Sequence, residues 1–276
     1  AQEPYIYKKV ISGIANRNFE IVHFNSDDKQ RSCLIVRREI KYNLIPRFCS
    51  GDVTSAVVAF KEDGGNEIGI MLCSAYFPGD SPSPPPGDKV EDLVNYCKNQ
   101  NMQLILGSDC NAHHVSWGST DTNERGVEVL NFLLKNELEI LNIGNEPTFV
   151  TSTRAEVLDI TVATAFIQGK ISKWRVSKEP SCSDHQYIEF EIQSLKVTKQ
   201  CYRNPRKTDV SLYKKTLSDS IQSIAVNTST IANLESCASS ISAVIKESFL
   251  KSCPERVKSS NSACPWFTPR LQKLRN

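Results

Sequence analysis

Short β-rich apolar runs alternate along the chain with stretches whose apolar residues recur every three or four positions, and the alternation lasts to about residue 193. Cys33–Arg38, Val53–Phe60 and Ile68–Tyr76 are strand candidates, each bounded by Gly, Pro or charged residues. Pro82 and then Pro84-Pro85-Pro86-Gly87 form a stretch that supports neither ladder nor helix. Asp88, with Glu91 three residues on, reads as a capping box, and Val90, Leu93, Val94 and Cys97 write one apolar helical face behind it. Gln103–Leu106 predicts a short buried strand ending at Gly107-Ser108-Asp109. A second amphipathic helix is expected from near Asn123, with Val127, Leu130, Leu134 and Leu138 as its face. Ile140–Ile143, Val157–Val162 and Tyr187–Ile192 are the remaining strand candidates. This mix predicts a layered α/β core whose polar residues gather at strand ends.

Beyond Gln193 the character changes. Leu195–Lys207 is basic and Pro-broken, which suits a linker. Two helical stripes succeed it: Tyr213, Leu217, Ile221 and Ile224, then Leu234, Ala238, Ile241, Ile245 and Phe249. Cys264-Pro265-Trp266-Phe267 reads as the approach to another domain. The expected division is a catalytic core over 1–193, a basic linker over 194–209 and a helical extension over 210–276.

Charge and cysteines narrow the setting. From residue 194 onward 14 Lys and Arg face 5 acids, a balance of +9, while residues 1–193 hold 19 against 26, or −7; together they give the net +2. An acidic body with a basic tail suits a carboxylate site for a cation beside a neighbour that meets phosphate, and ordinary surface charge explains the asymmetry equally well. No run approaches the roughly 18 apolar residues of a membrane helix. The chain begins at Ala1 rather than Met and reads as a piece of a longer one. Its ten cysteines are widely spaced with no C-x-x-C pair, which argues against a disulfide scaffold and favours a reducing, intracellular setting.

Five blocks carry candidate chemistry. The longest is Gly107-Ser108-Asp109-Cys110-Asn111-Ala112-His113-His114, trailed by Trp117-Gly118-Ser119. An extended backbone would project Asp109 and Asn111 to one side, a carboxylate for water and an amide for a phosphate oxygen. Taken alone, Asp-x-Asn at a strand end is more often a turn-capping Asp. Ser183-Asp184-His185 precedes a strand, and an isolated Asp-His pair is usually structural. Asp159 interrupts the apolar run Val157–Val162, a costly position for an acid without a partner, and His185 is one of only four histidines that could serve. Gln2-Glu3-Pro4-Tyr5 and Ala75-Tyr76-Phe77-Pro78 complete the set; by themselves Glu3 reads as solvated and Tyr76 as packing. Zinc held by Cys110, His113 and His114 is a weaker reading, because a near-contiguous run rarely gives tetrahedral geometry.

Taken in order, Q-E-P, Y-F-P, G-S-D-C-N-A-H, L-D-I-T and S-D-H resemble the endonuclease/exonuclease/phosphatase superfamily of DNase-I-like and apurinic-site nucleases. The wording Asn111-Ala112-His113-His114, Trp117-Gly118-Ser119, Arg125-Gly126 and Asn145-Glu146-Pro147-Thr148-Phe149 is similar to the endonuclease of jockey-type non-LTR retrotransposons, which precedes a reverse transcriptase in its polyprotein. The resemblance covers residues 1 to about 193, and Pro265-Trp266-Phe267 resembles the linker before the reverse transcriptase. It implies a four-layer α/β sandwich with two mixed β-sheets packed face to face, plus the C-terminal helical extension. It implies Mg²⁺, or Mn²⁺, held by Glu3 and Asp184, with Asp109 and Asn111 able to touch a second metal. Asp109 would then align the attacking water with Asn111 as companion, Tyr76 would contact the scissile phosphate, His185 would face it and Asp159 would orient His185. The implied partners are double-stranded target DNA and, through the downstream reverse transcriptase region, element RNA, with no membrane and with action in the nucleus.

One departure stands out: the family opens with a strand carrying an Asn of the active site, and this sequence starts at the Glu motif. Activity of residues 1–276 alone is therefore in question. Two other functions fit the same residues, a phosphodiesterase acting on phosphoinositide or sphingomyelin and an inactive relic that binds DNA or a partner.

Overall fold

The two longest apolar runs of the first hundred residues become the two longest strands, and the rest of the core is laid against them. The computed structural model of the chain describes residues 1–7, 10–12, 18–24, 29–224, 226 and 229–258. They fall into two compact units, Ala1–Thr198 and Lys199–Ser259. The first opens with two antiparallel pairs, β1 (Ile6–Tyr7) with β2 (Val10–Ile11) and β3 (Phe19–Val22) with β4 (Leu34–Arg37). β5 (Tyr42–Leu44), β6 (Val53–Glu62), β7 (Glu67–Tyr76), helix α1 (Asp88–Asn99), β8 (Gln103–Asp109), α2 (Glu124–Lys135) and β9 (Leu138–Ile140) follow. Then come β10 (Phe149–Val150), β11 (Ala155–Glu156), β12 (Asp159–Thr164), the short α3 (Ala165–Gln168), β13 (Ile171–Val176), β14 (Ile188–Ile192) and β15 (Leu195–Val197).

Seven of these strands form one mixed sheet in the order β15-β6-β7-β8-β12-β9, with β5 also on β6. Only β7 and β8 run parallel, and α1 supplies the crossover that a parallel pair needs. Alternation along the central strands serves two apolar layers. Met71, Cys73, Leu104, Leu106, Ile160 and Val162 pack with Val90, Leu93, Val94 and Cys97 of α1 and Val129 and Leu133 of α2. Ile70, Ile105 and Ala163 turn to the other side, onto Trp174, Ile188, Phe190 and Ile192 of the β13–β14 pair. The α/β layering is the expected one. Opposite the large mixed sheet, the second sheet is represented among the described residues by the β13–β14 pair.

Several boundaries differ from the sequence reading, each for a local reason. The α1 face is the predicted one, but its capping box does not form: Gly87, at φ 82, is the N-cap residue, and no side chain caps the helix. That left-handed turn is easy for glycine, so Asp88 ends up inside the first turn. α2 begins after Asn123 as expected, yet its buried line is Gly126, Val129 and Leu133, while Val127 and Leu134 are 41% and 67% exposed. Gly126 decides this rotation, because a Cβ there would lie 1.8 Å from the His113 carbonyl oxygen. The helix buries the one position that needs no side chain. β9 ends at Ile140, short of the predicted run, and β13 was not anticipated.

The stretch 194–209, expected as a linker, is structured. Leu195–Val197 pairs with Phe60–Glu62 as an edge strand of the large sheet, so the division between units falls after Thr198. Its alternation of Leu195 and Val197 with Lys196 suits an edge, where a charged side chain can face water. In the second unit β16 (Cys201–Arg203) pairs with β17 (Glu255–Val257), and α4 (Val210–Ile221) lies against α5 (Ile231–Ser252). Both helices were predicted, though Ile224 lies past the end of α4 and Leu234 and Ile245 of the α5 stripe remain exposed. The Cys264–Phe267 segment lies outside the described residues. Among the described residues the cysteines are free, and no helix is long and apolar enough to cross a membrane.

Gly126→Ala should destabilise the first unit by about 2 kcal/mol or more, because the helix must shift off a backbone carbonyl. Leu134→Ala, at an exposed position, should stay within about 0.5 kcal/mol of the parent in urea denaturation.

Candidate active site

Three adjacent strands end in one row. In the β7–β8 register Tyr76 is opposite Asp109, and in the β8–β12 register Asp109 is opposite Asp159. Opposed residues share a face, here the one that carries Ile70, Ile105 and Ala163 deeper in the sandwich. One step inward the row is Ser74, Gly107 and Thr161. Gln2 fastens the start of the chain to that second row, its amide donating to the Gly107 carbonyl at 3.0 Å and to Ser74 Oγ at 3.2 Å. The next residue, Glu3, has φ 45 and donates its N–H to the Arg31 carbonyl at 2.7 Å.

His185 closes the row. Its Nδ1 lies 2.9 Å from Asp159 Oδ2, and its Nε2 lies 3.7 Å from Asp109 Oδ2. The ring sits edge-on to Phe149 at 5.0 Å, and the backbones of the two residues form an antiparallel bridge. Asp159 is fixed in turn: its N–H and that of Leu158 both donate to the buried Thr148 hydroxyl, and Asn142 donates to its carbonyl. Pairing Asp159 with His185 was legible in the sequence. Gln2, Thr148 and Asn142 were not assigned roles, although Gln2 and Thr148 lie inside quoted motifs; what they do depends on contacts between distant segments.

Two sequence expectations need correction. Asp109 and Asn111 are not side by side on an extended strand. β8 stops at Asp109, and Asn111 turns left-handed at φ 44, its N–H donating to Asp109 Oδ1 at 3.2 Å and its side-chain amide to the Phe77 carbonyl at 3.2 Å. The turn-capping role of Asp109 and its place in the site coexist. Asp184 has an exposed side chain and does not belong to the group that could hold a cation. Its carbonyl accepts from Val150 N–H at 2.8 Å. The zinc reading also fails: the Cys110 thiol is buried against the Leu158 carbonyl, His113 meets Asp121 and Glu156, and His114 accepts from Ser116 N–H.

The electrostatics follow from burial. Asp109 is 2% exposed; burial, then the charge of Asp159, push its carboxyl up to about 6, against the pull of His185 and the Asn111 N–H. For His185 burial works downward, but the Asp159 hydrogen bond and the charges of Asp159, Asp109 and Glu3 carry the imidazole above its ordinary value. Burial, then Glu3 and Asp109, raise the Tyr76 phenol, which meets Asn111, while the Arg31 guanidinium stacks 4.9 Å from its ring. Glu3, Asp109 and His185 each offer a ligand atom, all within 4.8 Å of one another, the group with that property among the described residues. Two carboxylates, one buried beside a second acid, suit a hard divalent cation that takes oxygen ligands and keeps several waters.

Residues 70–189 match the family described as Endonuclease-reverse transcriptase. The endonuclease domain of TRAS1, a telomere-specific non-LTR retrotransposon, superposes with a TM-score of 0.54 at 25% identity, over 70% of this chain and 83% of that one. The fold is that of the endonuclease/exonuclease/phosphatase nucleases. An AP endonuclease from Archaeoglobus fulgidus is a more distant structural match, at a TM-score of 0.45 and 13% identity, over 64% of this chain and 80% of that one. No curated protein sequence matches the chain.

A cation held by Glu3 and Asp109 would compete with the proton for Asp109. Its carboxyl is raised from 3.8 to about 6, so without metal its contribution to stability is fully present below 3.8 and is lost as pH rises through about 6. Thermal melts from pH 4 to pH 8 should show a loss in the parent that Asp109→Asn lacks and that Mg²⁺ restores. A pH-independent difference between the two proteins would contradict this. Separately, Asp159→Asn should lower the His185 imidazole pKa by about one unit or more in an NMR titration, because it removes the nearest charge.

Proposed function

We propose that the chain is a divalent-metal-dependent endonuclease that hydrolyses DNA phosphodiester bonds, nicking target DNA so that a 3′ end primes reverse transcription by a non-LTR retrotransposon. The observation that carries this reading is the alignment of Tyr76, Asp109 and Asp159 across three strand ends, with His185 spanning the two acids and Glu3 beside them. The family match over residues 70–189 and the likeness to a retrotransposon endonuclease support it.

A divalent cation bound by Glu3 and Asp109 would supply positive charge to a phosphate oxygen and to the leaving 3′ oxygen. The protein's own groups do the rest. Asp159 holds the imidazole by Nδ1 and stabilises its charged form, so Nε2 donates toward a non-bridging phosphate oxygen. Asp109, whose Oδ1 is occupied by the Asn111 N–H, has Oδ2 to align the attacking water and accept its proton. Tyr76 and the Asn111 amide bind the phosphate from the β7 side. Double-stranded DNA is the proposed substrate, and element RNA is a proposed partner of the region that follows.

The test follows supercoiled plasmid incubated with the chain and any residues that precede Ala1 in its gene. Nicking should occur in Mg²⁺ and cease when the metal is chelated. Asp109→Ala or His185→Ala should each slow it about 10²-fold or more. DNA binding should survive His185→Ala, since affinity comes mainly from dispersed cationic contacts, and should weaken as salt rises. Binding without metal-dependent nicking would instead identify an inactive relic.

A further inference from the structure

The start of α2 touches the site loop at three points. The Asn123 side-chain oxygen accepts from Gly126 N–H at 2.8 Å, within the helix, and from His113 N–H at 3.1 Å, across to the loop. Gly126 lies so close to the His113 carbonyl that no side chain fits between them. Between these two positions, Arg125 reaches over the loop. Its Nε donates to the Asn111 carbonyl at 3.1 Å and its Nη2 to the Pro78 carbonyl at 3.0 Å. Asn111 itself donates from its side chain to the Phe77 carbonyl, and Phe77 N–H donates to the Asp109 carbonyl.

Arg125 therefore joins the segment that leaves β7 just after Tyr76 to the segment that leaves β8 just after Asp109. Its place on the helix favours no cation: the first turn carries the positive end of the helix dipole, where acids are stabilised and bases are not. It is also half-buried, and its donors have gone to backbone carbonyls rather than to a carboxylate. A residue that breaks a local preference needs a compensating gain. Here the gain is the turn at Asn111, which takes the left-handed conformation, at φ 44, that asparagine tolerates, and whose carbonyl Arg125 satisfies.

We infer that Arg125 is a positioning residue of the active site, which locks the Asn111 turn against the Tyr76 segment and so fixes the Asn111 side chain toward the phosphate. The inference rests on the nuclease reading for its kinetic consequence alone; the clamp itself is a property of the free protein. It also gives the Arg125-Gly126 pair of the sequence a physical meaning: glycine allows the close approach, and arginine spans it.

Two measurements on the same protein test it. Hydrogen exchange of the free protein reads the clamp. Arg125→Met should speed exchange at residues 77–80 and 110–113 about tenfold or more while 104–107 stay protected, and Arg125→Lys should recover part of the loss. Unchanged exchange, or a uniform rise across the first unit, would overturn the clamp. Nicking of supercoiled plasmid by the same protein reads the consequence. Arg125→Met should lower kcat about tenfold with KM changed less than about threefold, and in an Asn111→Ala background it should cost nothing further. Multiplicative effects in the double variant would show that Arg125 does not act through Asn111. Should the parent itself fail to nick, the endonuclease reading falls, while the exchange result still decides the clamp.

Discussion

Two acids placed directly opposite each other on neighbouring strands, both nearly buried, would repel if both were ionised and alone. Asp109 and Asp159 occupy that position, and His185 reconciles them. Bonded to Asp159 at 2.9 Å and 3.7 Å from Asp109, the imidazole can offer a positive charge to both, and in return the two acids raise its pKa against the effect of burial. The compensation is incomplete: burial, then the charge of Asp159, still push the Asp109 carboxyl up to about 6. A further cation would relieve both, so the strain of the row and its proposed capacity for metal share one electrostatic origin.

The remainder of the first unit serves to keep this row in place. Strand register alone sets the spacing of Tyr76, Asp109 and Asp159, and the register is secured by apolar layers on both faces of the sheet. Loops then add what strands cannot. Thr148 and Asn142 pin the backbone around Asp159, Gln2, anchored at the second row, brings Glu3 beside Asp109, and the first turn of α2 holds the Asn111 turn. Each of these uses a side chain to satisfy a backbone group at a strand end, where the ladder no longer does so.

The chemistry was more legible in the sequence than the boundaries were. Asp159 showed itself because an acid within an apolar strand requires a partner, and with four histidines in the chain the choice was short. Strands β6 to β8 and helix α1 were legible because their periodicity is enforced by burial. The α2 face was not, because two apolar lines compete on that helix and the choice between them depends on a carbonyl contributed by another segment. The edge strand β15 was hidden by its charge, which suits an edge as well as it suits a linker.

The central claim is that Glu3 and Asp109, with His185 beside them, form one cation site within the row. Mn²⁺ can stand in for Mg²⁺ and broadens the NMR signals of groups near it, so relaxation enhancement on titrating Mn²⁺ into the protein tests the claim directly. The account predicts that the His185 ring and the Tyr76 ring broaden first and that Mg²⁺ reverses the effect competitively. Asp109→Asn should abolish it, whereas Asp184→Asn should leave it intact. Early broadening centred on His113 and Asp121, with His185 sharp, would contradict the account.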